Sequence, residues 1–163
     1  MTTTLKEPAV KAITTTPSDR EIRMERIFNA PRARVWKAMT TPELIAQWWG
    51  RGNTLVIERY EPVRGGHWRF VEHSDHGEHG FEGRFREISP IERLVQTFEW
   101  DGMPGHVVIE TVTLEDLGDG RTRMVNLSLF HTTDERDGML HSGMEGGANE
   151  SYAALDRVLE QLD

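Results

Sequence analysis

Six strand-like runs from Asn53 onward constrain the fold of this chain more than any other feature. "NTLVIERYE", "GHWRFVEHS", "GFEGRFREIS", "ERLVQTFEW", "GHVVIETVTLE" and "RTRMVNLSLF" are separated only by the turns "PVRGG", "DHGEHG", "SPIE", "DGMPG" and "DLGDG". Connections this short make neighbouring strands antiparallel, because a parallel return needs a crossover of a dozen or more residues. The segment is therefore a meander. Phe81, Gly83 and Phe85 alternate with Glu82, Arg84 and Arg86. One face of the sheet is covered and the other meets water.

A sheet with one apolar face needs a second layer. The end of the chain supplies it. Met144, Ala148, Tyr152, Leu155, Leu159 and Leu162 recur at steps of four and three, one stripe along a long helix. "TTDE" at Thr132–Glu135 and "SGME" at Ser142–Glu145 both carry the capping-box pattern, with a short helical turn "RDGML" between them. Upstream of the meander, "EIRMERIFNA" alternates as a half-buried strand with Ile22, Met24 and Arg26 on one face. Pro31 suits the first turn of a helix, with Asn29 helping its start, and Val35 and Met39 then lie four apart beside Trp36. A second short helix has Thr41 as its cap, Pro42 at its first position and Gly50 at its end. Met1 to about Ser18 is threonine-rich and lacks periodicity, so a flexible tail is expected there. Residues 19–163 then form a single domain, a size that one core can serve.

Composition narrows the function classes. The absence of cysteine excludes disulfides, thiolate catalysis and cysteine-based zinc sites. A net charge of −8 argues against a nucleic-acid partner. No apolar run reaches the ~20 residues of a membrane span, and the N-terminus lacks the apolar core of a secretory signal. A cytoplasmic location is expected. His73, His76 and His79, with Asp75 and Glu78 between them, use the vocabulary of a metal site. They fall on a turn between two strands, with His76-Gly77 at the tip and His73 facing His79 across it. A solvated turn is expected, and no metal site.

The order strand, two short helices, six-strand meander and long C-terminal helix is that of the helix-grip fold. "APRARVWKAMTTPELIAQWWG", "GGHWRF", "GRFREISPIERLVQTFEW" and "SGMEGGANESYAALDRVL" resemble the activator of heat-shock protein 90 ATPase homologue family, in the START-like (SRPBCC) superfamily. The resemblance runs from about Glu21 to Leu162. It implies an α+β fold, a curved antiparallel sheet wrapped around the C-terminal helix, with a deep cavity between them. In this superfamily such cavities hold lipids, sterols, polyketides or other apolar molecules. The eukaryotic namesake's chaperone contact depends on an additional N-terminal domain. This chain has only a short tail in that position, so a chaperone partner is not carried over.

The aromatic residues are concentrated where such a cavity would lie. Trp68 and Phe70 share a strand face, as do Phe81 and Phe85 with Gly83 leaving space between, and Phe98 and Trp100. Of the adjacent Trp48 and Trp49, one anchors its helix and the other covers the cavity rim, because neighbouring helical residues point about 100° apart. Gly143, Gly146 and Gly147 stand near the start of the long helix, where each costs up to ~1 kcal/mol against alanine. Close approach to the sheet or room for a ligand mouth would justify Gly147, with Met139 and Met144 flanking that mouth. No nucleophile elbow, phosphate loop, zinc-protease motif or dinucleotide fingerprint is present, and no cofactor is expected. Glu99, Glu110, His67, His106 and Arg69 lie in strands, and any that faced inward would be an acid–base candidate. The leading expectation is binding of an apolar small molecule without catalysis. A cyclase- or aromatase-like enzyme using the same cavity, and a chaperone-associated interaction domain, are the alternatives.

Overall fold

The structure, a computed structural model, describes residues 10–162. Its strands are β1 (Ile13–Thr15), β2 (Glu21–Phe28), β3 (Thr54–Tyr60), β4 (His67–Ser74), β5 (Gly77–Ser89), β6 (Arg93–Trp100), β7 (Val108–Asp116) and β8 (Thr122–Leu129). Helices α1 (Arg32–Thr40) and α2 (Pro42–Trp48) separate β2 from β3, and α3 (Thr133–Leu140) and α4 (Met144–Gln161) follow β8. The strands form one antiparallel sheet in the order β1-β2-β8-β7-β6-β5-β4-β3. The meander strands pair in sequence, and β2 closes against β8 with Ile22 opposite Ser128. The fold is the α+β helix grip that the element order implied.

Alternation in β2 decides what α4 packs against. Ile22, Met24, Arg26 and Phe28 all point inward and are buried. Phe28 meets Tyr152 edge-on at 5.7 Å, beside Val35, Leu155, Val158 and Leu159 in the core. Each such apolar side chain contributes roughly 1.5–3 kcal/mol when removed from water. Arg26 would be costly on this face if uncompensated. Asp156 of α4 accepts both of its terminal nitrogens at 2.6 Å, and the guanidinium lies 4.6 Å from the centre of the Phe28 ring.

The sheet bends where its register slips. One irregularity falls between Phe85 and Glu87 of β5, and another between Ile57 and Arg59 of β3. Such bulges increase local twist and curl a sheet. Gly83 is required beside the first of these, because a Cβ there would lie 1.8 Å from the Thr97 carbonyl oxygen. The space expected between Phe81 and Phe85 is filled by Trp68, the cross-strand partner of Gly83.

Several local expectations need correction. Within the expected tail, Ile13–Thr15 is a strand paired with Arg23–Glu25, and Ala12 is buried with its N–H donated to Asn149 Oδ1 at 2.9 Å. Three β-branched residues are too few to show alternation, yet they suit an edge strand. Residues 1–9 of that tail lie outside the described residues. The Thr132–Glu135 capping box is formed in both directions, but the one at Ser142–Glu145 is not. Gly143 caps α4 in the left-handed region (φ +84°), and Ser142 donates instead to the Met139 carbonyl oxygen at 2.6 Å, closing α3. Pro31 and Thr41 occupy the cap positions of α1 and α2 without side-chain capping bonds.

Candidate functional site

The concave face of the sheet, α2, α3 and the first half of α4 enclose a cavity of about 870 Å³. Strand periodicity sets its walls, since residues two apart share a face. Trp68, Phe70 and Glu72 come from β4, His79 and Phe81 from β5, and Leu94, Gln96, Phe98 and Trp100 from β6. Val108, Glu110 and Val112 of β7 and Met124 and Asn126 of β8 continue the wall.

Ten of the eleven residues singled out in the sequence border this space: Trp48, Trp49, Trp68, Phe70, Phe81, Phe98, Trp100, Met139, Met144 and Gly147. Phe85 does not. It is buried behind the wall, edge-on to Tyr60 at 5.6 Å. The two adjacent tryptophans divide the work. Trp48 is the anchor, its indole N–H donated to the Ala38 carbonyl oxygen at 3.0 Å. Trp49 covers the aromatic wall, edge-on to Phe70 at 5.3 Å and to Phe81 at 5.1 Å. Phe81 stacks on Phe98 at 5.5 Å, and Trp100 stands at the rim, 38% exposed.

Gly147 lies on the cavity lining with Met139 and Met144. The atoms nearest to Gly147 belong to Arg51 and not to the sheet. A Cβ there would lie 2.7 Å from Cδ of Arg51, whose side chain crosses the cavity mouth. A Cβ on Gly146 would have nothing within 4 Å. Arg51 itself occupies the left-handed region (φ +59°), uncommon for a residue with a side chain. Its N–H donates to Ser151 Oγ at 3.2 Å, and its guanidinium reaches the buried Glu72 at 3.4 Å. Asn53 completes that contact with a 3.0 Å bond to Glu72 Oε1.

A polar group of residues interrupts the apolar lining. Gln96 Nε2 donates to Glu110 Oε1 at 3.2 Å across the β6–β7 pair. Glu110 is half-buried and lines the cavity. Burial pushes its carboxyl above the usual carboxylate range, and the bond from Gln96 only partly opposes this. Tyr152 of α4 lines the same space. Burial, and then the nearby Glu110 charge, raise its phenol to about 12. Asn126 Oδ1 is buried without a hydrogen-bond partner.

The other acid–base candidates go elsewhere. His106 is at the rim, its Nδ1 against Glu135 Oε1, which holds the Glu135 carboxyl below its ordinary range. His67 and Arg69 occupy the outer face, bound to Glu82 at 2.9 Å and Asp101 at 2.7 Å. Glu99 accepts the Gly105 N–H at 2.8 Å. The histidine turn has Asp75 and His76 at its tip, because Ser74 pairs with Gly77. His73 consequently pairs with Glu78 and His79 with Glu72, so His73 and His79 lie on opposite faces rather than across from each other. Among the described residues no three His, Asp or Glu side chains converge as metal ligands.

Reading for aromatics on the strands passes over Gln96, Asn126 and Glu72, and Tyr152 is absorbed into the apolar stripe of α4. A signal existed. Gln96 shares its phase with Phe98 and Trp100, and Asn126 with Met124. A polar residue in the apolar phase of a strand that faces a covered interior is a candidate for a site.

A curved antiparallel sheet gripping a long C-terminal helix over an aromatic cavity defines the START-like, helix-grip class. Within that class, residues 29–160 match the family described as Activator of Hsp90 ATPase homolog 1-like protein, and the chain belongs to it. A crystal structure of a Rhodobacter sphaeroides protein is similar at 26% identity and a TM-score of 0.85, covering 94% of this chain and 100% of that one. A solution structure from Arthrobacter aurescens is similar at 24% identity and 0.83, covering 95% and 94%. DynU16, a protein in the dynemicin biosynthetic locus, shares the fold at 24% identity and 0.67, over 89% of this chain and 48% of its own. No curated protein matches the chain. Among the described residues no helix is long and apolar enough to cross a membrane.

Proposed function

We propose that this protein binds an apolar small molecule, a lipid, polyketide or aromatic metabolite, in the cavity between the sheet and α4. The observation that carries this reading is the cavity itself, about 870 Å³ and walled by tryptophan, phenylalanine and methionine. Protein interiors are close-packed, and a gap of this size forfeits dispersion contacts on every wall. Its volume falls within the range of pockets that enclose drug-sized ligands. A cytoplasmic setting belongs to the same proposal. Native mass spectrometry of protein purified from its own cells tests it, together with titration by the neutral probe phenylnaphthylamine. A co-purifying apolar molecule and saturable probe uptake are expected. A folded protein showing neither would overturn the reading.

A second reading, catalysis of the cyclase or aromatase kind, is favoured by one observation. Glu110 and Tyr152, both ionisable and shifted by burial, line the same cavity. Perturbed groups of this sort serve as acids and bases in active sites. The presence of DynU16 in a biosynthetic locus fits this reading as a likeness of fold. Turnover of a co-purified molecule, abolished in Glu110→Gln, is the measurement that separates catalysis from binding.

A further inference from the structure

We infer, on the reading that the cavity takes an apolar ligand, that this ligand carries a protonated amine held by Glu110, Asn126 and Tyr152. The argument begins from unmet hydrogen-bonding capacity. A carboxylate offers about four acceptor positions. Glu110 meets a single protein donor, the Gln96 amide on Oε1, and among the described residues no Lys, Arg or His makes an ion pair with it. Asn126 pairs with Val112, which lies two residues along from Glu110 on the same face. The Asn126 carboxamide and the Glu110 carboxyl are therefore diagonal neighbours on adjacent strands. Asn126 Oδ1 is an acceptor with no partner, and the Tyr152 hydroxyl can also accept.

An ammonium group matches this arrangement. It has three donors and no acceptor, and it supplies the positive charge that Glu110 lacks. The surrounding rings help, because a cation is attracted to aromatic faces. An alcohol has one donor and leaves the carboxyl uncompensated. A carboxylate ligand would place like charges together. The remaining charged or titratable groups on the cavity lining are the buried Glu72 with Arg51, Tyr60 against Phe70 and Phe85, Glu135 with His106, Asp134, and His79. On the sheet side of Tyr152, Arg26 is already engaged by Asp156. Burial holds the Glu110 carboxyl above its ordinary range, and an ammonium beside it favours the charged form and draws it back down.

The test uses the full chain and displacement of phenylnaphthylamine, whose nitrogen is not basic. Phenylbutylamine, phenylbutanol and phenylbutyrate serve as competitors that share one apolar body. Near neutral pH the amine is expected to bind at least about tenfold more tightly than the alcohol, the scale of one charge-assisted buried hydrogen bond. In Glu110→Gln the amine-to-alcohol ratio should fall to within about twofold of unity, since only the neutral amide remains. As an independent measurement on the unaltered protein, acidification should remove the amine's advantage, because Glu110 then keeps its proton. Equal affinities, preference for the alcohol or acid, an advantage that survives in Glu110→Gln, or one that persists in acid would each overturn the amine assignment. If the folded protein takes up no probe and no competitor, the apolar-ligand reading itself fails, and this inference with it.

Discussion

The C-terminal half of α4 and its N-terminal half cover the same sheet, yet one is sealed and the other is hollow. From Tyr152 to Leu159 the helix presents Tyr152, Leu155, Val158 and Leu159, all buried against Phe28 and the side chains around it. The Arg26–Asp156 pair clamps this half to β2. From Met144 to Ser151 the helix offers Gly146, Gly147 and Ala148, and no residue there is buried. The sheet beneath carries large rings in both regions. The difference lies in the helix, which fills the space at one end and leaves it open at the other. A cavity in this fold is thus made by withholding side-chain volume from one partner, with the sheet left unchanged in kind.

The sharpest test of that contrast is truncation of one ring in each half. Phe28→Ala, on the sealed side, is expected to lower stability by about 3–5 kcal/mol, because the site cannot collapse. Phe98→Ala, on the hollow side, should cost less, about 1–2 kcal/mol, since one side of that ring already borders empty space. Urea denaturation of both variants decides it, and equal losses would mean that the hollow half is packed in solution. Phe98→Ala should also enlarge the probe site.

A smaller effect concerns charge. Glu110 has a folded-state pKa above its unfolded value, so the folded protein holds this proton more tightly. That contribution to stability is present below the unfolded carboxylate value and is lost as pH rises through the folded one. Glu110→Gln should therefore be more stable than the native chain at neutral pH and indistinguishable from it in acid. Denaturation midpoints across that range check the sign. A variant that is less stable at neutral pH would show that Glu110 has a favourable partner beyond Gln96.

The smallest effects belong to the helix glycines. Gly146→Ala should raise stability by up to ~1 kcal/mol through helix propensity, since nothing opposes the new methyl group. Gly147→Ala should gain less, because Arg51 must swing away from Cδ contact and loosen its hold on Glu72. Thermal midpoints for the pair distinguish them, and a larger gain at Gly147 would place Arg51 elsewhere in solution.

Much of this architecture was legible because each part had a local cause. Turn residues and period-two alternation marked β3 through β8, and the step of four and three marked α4. The aromatic wall followed from the same alternation. What stayed hidden depended on neighbours that no local pattern reports. Phe85 shares the phase of Phe81, but Trp68 over Gly83 separates the two environments. Gly147 is explained by Arg51, a residue almost one hundred positions away in an uncommon backbone conformation. The Ser142 pattern matched a capping box, yet the left-handed Gly143 took the cap position, and a sequence pattern cannot arbitrate between two such caps. The three residues of β1 gain their order from an edge of β2 that alternation alone does not reveal.

The pairing of β2 with β8 has a consequence for how the chain is made. Ile22 meets Ser128, about one hundred residues later in the sequence. The hairpins from β3 to β8 can form as they emerge from the ribosome, since their contacts are local. β1 and β2 emerge first, and β2, with Ile22, Met24 and Phe28 uncovered, has only the three residues of β1 beside it until β8 and then α4 have been synthesised. At about 5–20 residues per second, that wait lasts on the order of 5–20 s. The segment that seals the finished domain is thus the one exposed longest during its birth, which makes β2 the strand most open to misassociation on the ribosome.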